Sequence, residues 1–142
     1  MKKFATIIIL FTTLFSTAQE KIEIPIIVNS NFEKEFKDVV DLNWSILFRG
    51  KLNKELRFEA EFLNGNSKYL VSYAKDGSVK AIQKSISINS LNENISTYLK
   101  DNYPTFELNE ASFIIKEDEK IFYNVGISNA SDFFILVFNE KG

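Results

Sequence analysis

The chain has 142 residues, with 17 basic and 19 acidic side chains, no cysteine and no histidine. A net charge of −2 lacks the basic footprint of nucleic-acid binders, so we expect no nucleic-acid partner. Without histidine or cysteine, the commonest general base, metal ligand and thiol nucleophile are missing. We therefore predict a protein that is not an enzyme and holds no cofactor, although Ser–Lys or paired-carboxylate catalysis stays chemically open.

Residues 1–18 have the three parts of a secretory signal peptide. Lys2-Lys3 is the charged region, Ile7–Phe15 is the apolar region, and Ser16-Thr17-Ala18 supplies the small residues of a cleavage site. The alternative, a membrane anchor, needs a longer apolar run. We predict cleavage after Ala18 and a periplasmic or secreted protein with no membrane span after cleavage.

Residues 19–29 are expected to form an extended N-terminal segment, because Pro25 suits an edge strand or a linker. Ser30 and Glu33 then match a capping box at the start of a helix. The apolar residues after this box recur on one helix face: Phe32, Phe36, Val39 and Val40. The alternation in Leu42–Arg49 predicts the first strand.

An aromatic hairpin is predicted next in the chain. Phe58–Phe62 alternates with glutamates, and Tyr69–Tyr73 continues its apolar face. Asn64-Gly65 and Asp76-Gly77 provide residues that tolerate the positive φ of tight turns. The apolar residues of the following strand, Ser78 to about Ile88, change parity, which indicates a bulge or a bend.

The second half of the chain repeats this design. Ser90-Leu-Asn-Glu93 is another capping box, and Pro104 ends the helix that it opens. Further strands are predicted over Leu108–Lys116, Lys120–Ile127 and Asp132–Phe138. Aligning Tyr73 with Phe138 pairs Gly77 with Gly142, so we predict two pseudo-repeats, about 30–88 and 90–142, within one domain over residues 30–142.

The predicted fold class is α+β, with two helix-plus-antiparallel-strand units and both helices packed on one face of an antiparallel sheet. The side chains expected to form its core are Trp44, Phe58, Phe62, Tyr69, Tyr73, Tyr123, Phe134 and Phe138, with Phe36 and Leu99 from the helices.

The order of these features resembles the PepSY-like, beta-lactamase-inhibitor-like family of exported, Bacteroidetes-type bacterial proteins. The shared features, over about residues 30–142, are Trp44, Phe58–Phe62 with Asn64-Gly65, Tyr69–Tyr73 with Asp76-Gly77, Leu91 to Tyr103-Pro104, and Tyr123–Phe138. The sequence departs from the family at Val39-Val40, where an aromatic-Pro pair is usual, and at Asn129-Ala130, where a Gly turn is usual. The resemblance implies an inhibitor-like binding protein, and it carries over no catalytic residue.

Two groups of carboxylates are the candidates for a cation site. Glu59 and Glu61 lie two apart on one strand, and Glu117–Glu119 crowd a hairpin loop. Oxygen ligands of this kind suit Ca²⁺, but charge runs are usually solvated surface. We predict no metal site, and we keep an envelope module that binds a small ligand or a cation as the alternative function.

An excess of apolar residues indicates a second use for the sheet. Leu70, Phe133, Ile135 and Val137 have the parity opposite to the predicted core. They must be covered by Ile22–Val28 or by a homodimer partner, or lie open as a binding surface. We therefore predict a non-catalytic exported protein that recognises an unknown protein or peptide through these four residues.

Overall fold

The computed structural model describes residues 23–50 and 55–142. The predicted signal peptide and residues 19–22 of the predicted extended segment lie outside the described residues. In chain order, the elements are α1 (Ile26–Glu35), β1 (Val40–Arg49), β2 (Glu55–Asn64), β3 (Ser67–Tyr73), β4 (Val79–Ile86), a 3₁₀ turn (Ile88–Ser90), α2 (Glu93–Asn102), β5 (Glu107–Lys116), β6 (Ile121–Ser128) and β7 (Phe133–Asn139).

The seven strands form one antiparallel sheet in the order β1 to β7, so each strand pairs with its neighbours in the chain. Successive side chains of a strand point to opposite faces. Both helices pack on the same face, which we call the helix face, and we call the other the open face. The predicted α+β fold, with helices on one face of an antiparallel sheet, is confirmed.

An aromatic cluster fills the space between α1 and strands β1 to β3. Val28 and Phe32, one helical turn apart, are 0% and 2% exposed. The Phe62 ring lies 5.1 Å from that of Phe32, edge to face, and 5.3 Å from that of Tyr69, stacked. Aromatic pairs in such geometries stabilise a core beyond their buried area.

A second cluster, mostly aliphatic, lies between α2 and strands β5 to β7. Its buried members are Leu91, Ile95, Leu99, Ala111, Val125, Ile127 and Phe138. Of the predicted core residues, Phe58, Phe62, Tyr73, Leu99 and Phe138 are buried, while Phe36, Trp44, Tyr69 and Tyr123 are partly buried against the clusters.

The prediction for Phe134 was wrong, because its side chain is 44% exposed. It points to the helix face opposite Ile127, but it belongs to the edge strand β7. The Phe106 ring, 5.6 Å away, contacts it from one side only.

The first helix begins five residues earlier than predicted, with Pro25 rather than Ser30 as its N-cap. Pro25 has φ −55° and ψ 139°, so it stands just outside the helix. A proline disfavours the α region for the residue before it, so the helix cannot extend back to Ile24. The predicted extended conformation is therefore wrong for Ile26–Asn29, and Ser30 lies inside the helix rather than at its cap. The helix ends at Glu35, so the prediction that Val39 and Val40 belong to it is also wrong.

The start of α2 is capped by Asn92 rather than by Ser90. The Asn92 side chain accepts a hydrogen bond from the Ile95 amide at 2.9 Å, as a residue at this position does. Ser90 belongs to the preceding 3₁₀ turn. The predicted irregularity in β4 is confirmed, since Ser72 faces Ala81 while Tyr73 faces Val79, which leaves Lys80 as an extra residue.

Candidate functional site

The described part of the N-terminal segment lies on the helix face. Ile24 packs against the aromatic cluster, and Val28 is completely buried in it. Residues 23–28 therefore do not cover the open face. Cover by this segment was one of the three outcomes expected for the four residues of opposite parity, and its described part does not provide that cover.

Three of the four predicted site residues form an exposed apolar row on the open face. Phe133, Ile135 and Val137 alternate along β7 and are 56%, 56% and 64% exposed. They stand opposite Ser128, Gly126 and Asn124 of β6. We call this set of three residues the β7 row.

Leu70 is separated from the β7 row by three intervening strands. It lies half-buried on β3, opposite Glu61 of β2 and Gln83 of β4. Leu70 and Ile135 nevertheless line the same recess in the middle of the open face. The structure thus brings the β7 row together and connects it to Leu70 through this recess.

Some other apolar residues of the open face are covered by the chain itself, whereas Val40 and Leu47 on the opposite edge strand β1 are 54% and 37% exposed. Phe122 of β6 is half-buried, and the Nζ atom of Lys116 lies 4.3 Å from the centre of its ring. This cation–π contact lets the lysine cover the aromatic surface. The β7 row is more exposed because it lies on the edge strand.

The buried carboxylate of Glu59 is paired with an arginine. Glu59 is 5% exposed, and Arg49 Nε and Nη2 donate to its two oxygens at 3.1 and 3.2 Å. Glu61 pairs with Lys68. These two carboxylates therefore have basic partners on the protein.

Two of the three hairpin carboxylates predicted as alternative cation ligands, Glu117 and Asp118, are also paired. Glu117 pairs with Lys80 Nζ at 2.5 Å and Asp118 with Lys120 Nζ at 2.6 Å. The hydrogen bond from Lys120 holds the pKa of Asp118 below its usual range. Among residues 23–50 and 55–142, no three acidic, histidine or cysteine side chains are placed to hold a metal ion together.

The recess has a volume of about 280 Å³ and is lined mainly by polar residues, of which the sequence pointed only to Glu61. Ser85, Ser112 and Asn124 stand directly opposite one another on β4, β5 and β6. Gln83 Nε2 donates to Ser112 Oγ at 3.0 Å, and Ser112 is only 8% exposed. The available signal in the sequence was that Gln83, Ser85, Ser112 and Asn124 are polar residues of open-face parity.

Glu110 reaches the recess because β5 contains a bulge. Leu108 faces Ile127 while Glu110 faces Gly126, so Asn109 is an extra residue. Leu108 and Glu110 have the same parity but point to opposite faces, since one extra residue reverses the alternation. No local signal in the sequence announces this reversal.

Within the part of the chain that the structure describes, no helix is both long and apolar enough to cross a bilayer.

No protein-family model matches the chain, and no curated protein matches it. Three solved structures, all from Bacteroides, are similar in fold. A DUF2874 family protein of Bacteroides uniformis has a TM-score of 0.69 at 12% identity, with 83% of each chain covered. A candidate periplasmic protein of Bacteroides eggerthii has a TM-score of 0.70 at 11% identity, with 84% of each chain covered. A BLIP-like protein of Bacteroides fragilis has a TM-score of 0.63 at 12% identity, covering 87% of this chain and 84% of that one. The fold is thus one that BLIP-like and DUF2874 proteins of Bacteroides share. None of the three proteins is described as PepSY-like, so that part of the predicted resemblance stays a prediction.

Proposed function

We propose that this protein is an exported, non-catalytic binding protein that recognises another protein through the open face of its sheet. The observation that supports this function is the β7 row, three apolar side chains each more than half exposed. Leaving such side chains in water forgoes about 1.5–3 kcal/mol apiece, which favours a role in recognition.

The edge position of the row strengthens the proposal. Among the described strands, β7 pairs only with β6, so its other side presents N–H and C=O groups that no described strand pairs. Natural edge strands are usually protected by charges, prolines or bulges. The sequence Phe133–Asn139 contains no charge and no proline, and its pairing with β6 is regular. A partner could therefore gain both apolar contacts and backbone hydrogen bonds there.

The proposed location is the periplasm or the exterior, after cleavage at Ala18. The signal-like pattern of residues 1–18 supports this location, as does the description of the Bacteroides eggerthii neighbour. The BLIP-like neighbour supports an inhibitor-like version of the function, in which the partner is an enzyme. Rates of nitrocefin hydrolysis by a beta-lactamase, with and without the protein, test that version directly.

Site-specific photo-crosslinking tests the binding face. We would place p-benzoylphenylalanine at Ile135 and irradiate the protein in the envelope of the organism that makes it. We expect a discrete crosslinked species whose second component is one other protein, identified by mass spectrometry. Phe48 is the matched control position, because it is also an apolar residue on an edge strand and is 67% exposed.

Two results would contradict the proposal. Equal crosslinking from positions 48 and 135 would indicate non-specific contact, and an adduct of the chain with itself would indicate a homodimer. Phe133→Asp and Ile135→Asp should each abolish the adduct formed from a probe at Val137, while Phe48→Asp should leave it. Deleting the N-terminal segment is a poor test, because Val28 belongs to the core.

A further inference from the structure

The recess on the open face contains a hydrogen-bond acceptor that the chain itself does not use. Asn124 Oδ1 is inaccessible to water and has no donor among the described residues. The two neighbouring hydroxyl oxygens already accept, Ser112 Oγ from Gln83 and Ser85 Oγ from the Lys68 amide at 2.9 Å. A buried acceptor without a donor costs about 1–3 kcal/mol, so turning this oxygen toward a ligand that donates to it would remove this cost.

The acidic rim of the recess adds a negative charge beside that acceptor. The side chain of Glu110 lies against Gly126, since a Cβ atom at Gly126 would stand 2.7 Å from Glu110 Cγ. Among the ion pairs of the described residues, none involves Glu110. Glu61, on the opposite rim, is already paired with Lys68. The lining thus has two carboxylates and one ammonium group, and a bound cation would balance the excess negative charge.

The size of the recess fits one side chain. Its volume of about 280 Å³ falls just below the roughly 300 Å³ at which pockets for drug-sized ligands begin. Leu70 and Ile135 provide apolar wall on the two sides of the polar floor. A suitable occupant therefore has an apolar stem and a cationic, donor-rich end.

We propose that the recess receives an arginine side chain of the partner protein. A guanidinium group has five N–H donors in a planar array, enough to bind the Glu110 carboxylate and also the Asn124 amide oxygen once the Asn124 side chain turns toward the recess. Its methylene stem would lie along Leu70 and Ile135. The inference rests on the proposed function, because it names the chemistry by which a partner on the open face would be recognised.

The test uses two blocked pentapeptides with the ¹⁵N-labelled protein. The peptides are acetyl-Thr-Val-Arg-Val-Thr-amide and its citrulline counterpart, which has the same shape without the charge. We expect the arginine peptide to shift the amide signals of Ser112, Asn124 and Gly126, with a Kd at least tenfold lower than that of the citrulline peptide. A preference below twofold, or shifts confined to other parts of the protein, would overturn the proposal.

Three variants separate the recess from general charge effects. Glu110→Gln should remove the preference for arginine, whereas Glu107→Gln, which removes a carboxylate of the same strand outside the recess, should preserve it. Gly126→Ala keeps every charge but displaces the Glu110 side chain, so it should also reduce the preference. Thermal melting of each variant shows whether it is folded, and an arginine preference retained by both folded recess variants would overturn the proposal.

A final arm distinguishes a docking site from a site for small cations. Argininamide alone should bind at least tenfold more weakly than the arginine peptide, because it contacts Ile135 in the recess but neither Phe133 nor Val137 of the β7 row. Equal affinities would indicate a small-cation site and overturn the docking proposal. If the crosslink from Ile135 persists while arginine and citrulline peptides bind equally, only the arginine inference fails. If that crosslink is absent, the proposed function itself fails.

Discussion

The two halves of the molecule have similar architecture but different surfaces. Each consists of one ten-residue helix over three strands, α1 over β1–β3 and α2 over β5–β7, and β4 joins them into one sheet. In each half a glycine of positive φ ends a turn beside the helix. The Asn31 amide donates to Gly77 O at 3.0 Å, and the Asn94 amide donates to Lys141 O, next to Gly142, at 2.7 Å.

The open face distinguishes the halves. In the N-terminal half, the Glu59 and Glu61 carboxylates are paired with basic side chains of the chain itself. In the C-terminal half, the β7 row is exposed and no described residue donates to Asn124 Oδ1. On the open face, the N-terminal half therefore pairs these two carboxylates internally, while the C-terminal half leaves apolar and polar groups that a partner could use. We interpret the first as mainly structural and the second as the binding half.

The largest expected effect is on the aromatic core of the N-terminal half. Phe62→Ala should lower the free energy of unfolding by about 3–5 kcal/mol, because Phe62 is 1% exposed and its ring contacts those of Phe32, Phe36 and Tyr69. Ile127→Ala, in the aliphatic core, should cost about 2–5 kcal/mol. Urea unfolding should show one transition for each variant, since the continuous sheet couples the halves. A biphasic transition would mean that the halves unfold separately.

A smaller effect is expected at the turn that contacts α1. A methyl group at Gly77 would stand 2.9 Å from Ile27 Cγ1 and 3.3 Å from Ile27 O, and its φ of +85° is unfavourable for alanine. Gly77→Ala should cost about 2–3 kcal/mol. Gly65→Ala is the control, because its φ is also positive but the space around it is open, and it should cost about 1 kcal/mol. Equal losses would show that contact between this turn and α1 does not contribute.

A third prediction concerns an unpaired hydroxyl in the aromatic core. Tyr73 is completely buried, and its hydroxyl group has no partner among the described residues. Tyr73→Phe should therefore stabilise the protein by about 1 kcal/mol at pH 7. Urea midpoints of the two proteins measure this difference, and a loss of stability would show that the hydroxyl is satisfied, for instance by water.

The same substitution should change stability at high pH. Burial, and secondarily the charge of Glu35, raises the pKa of the Tyr73 phenol above its ordinary value. Above pH 10 the unfolded chain releases this proton while the folded state retains it, so the free energy of unfolding falls by up to about 1.4 kcal/mol per pH unit. Tyr73→Phe should lose less stability between pH 10 and 11 than the parent protein. Identical losses would contradict the raised pKa.

Features that depend on local patterns could be predicted from the sequence, and features that depend on strand pairing could not. Phe62 and Tyr73 were identified as core because alternation over five residues is a local signal. The start of α1 was placed too late because the pattern at Ser30 and Glu33 outweighed a proline that equally well marks a helix boundary. Glu110 was missed because the bulge at Asn109 reverses its direction, and the recess was missed because it depends on the registers of several strands. Local patterns gave the elements, and non-local pairing determined the site.

The smallest effect is expected on the β7 row and separates its two possible roles. Val137 is 64% exposed and Val125, on the helix face of the neighbouring strand, is fully buried. Val→Thr preserves shape and adds a hydroxyl group, so Val125→Thr should cost about 1–3 kcal/mol, whereas Val137→Thr should change stability by less than about 0.5 kcal/mol. If a second copy of the chain covered the row, Val137→Thr would weaken the dimer and the unfolding midpoint would depend on protein concentration. Two results would together leave the β7 row free for another protein. The urea midpoint would not change with protein concentration, and Val137→Thr would not change stability.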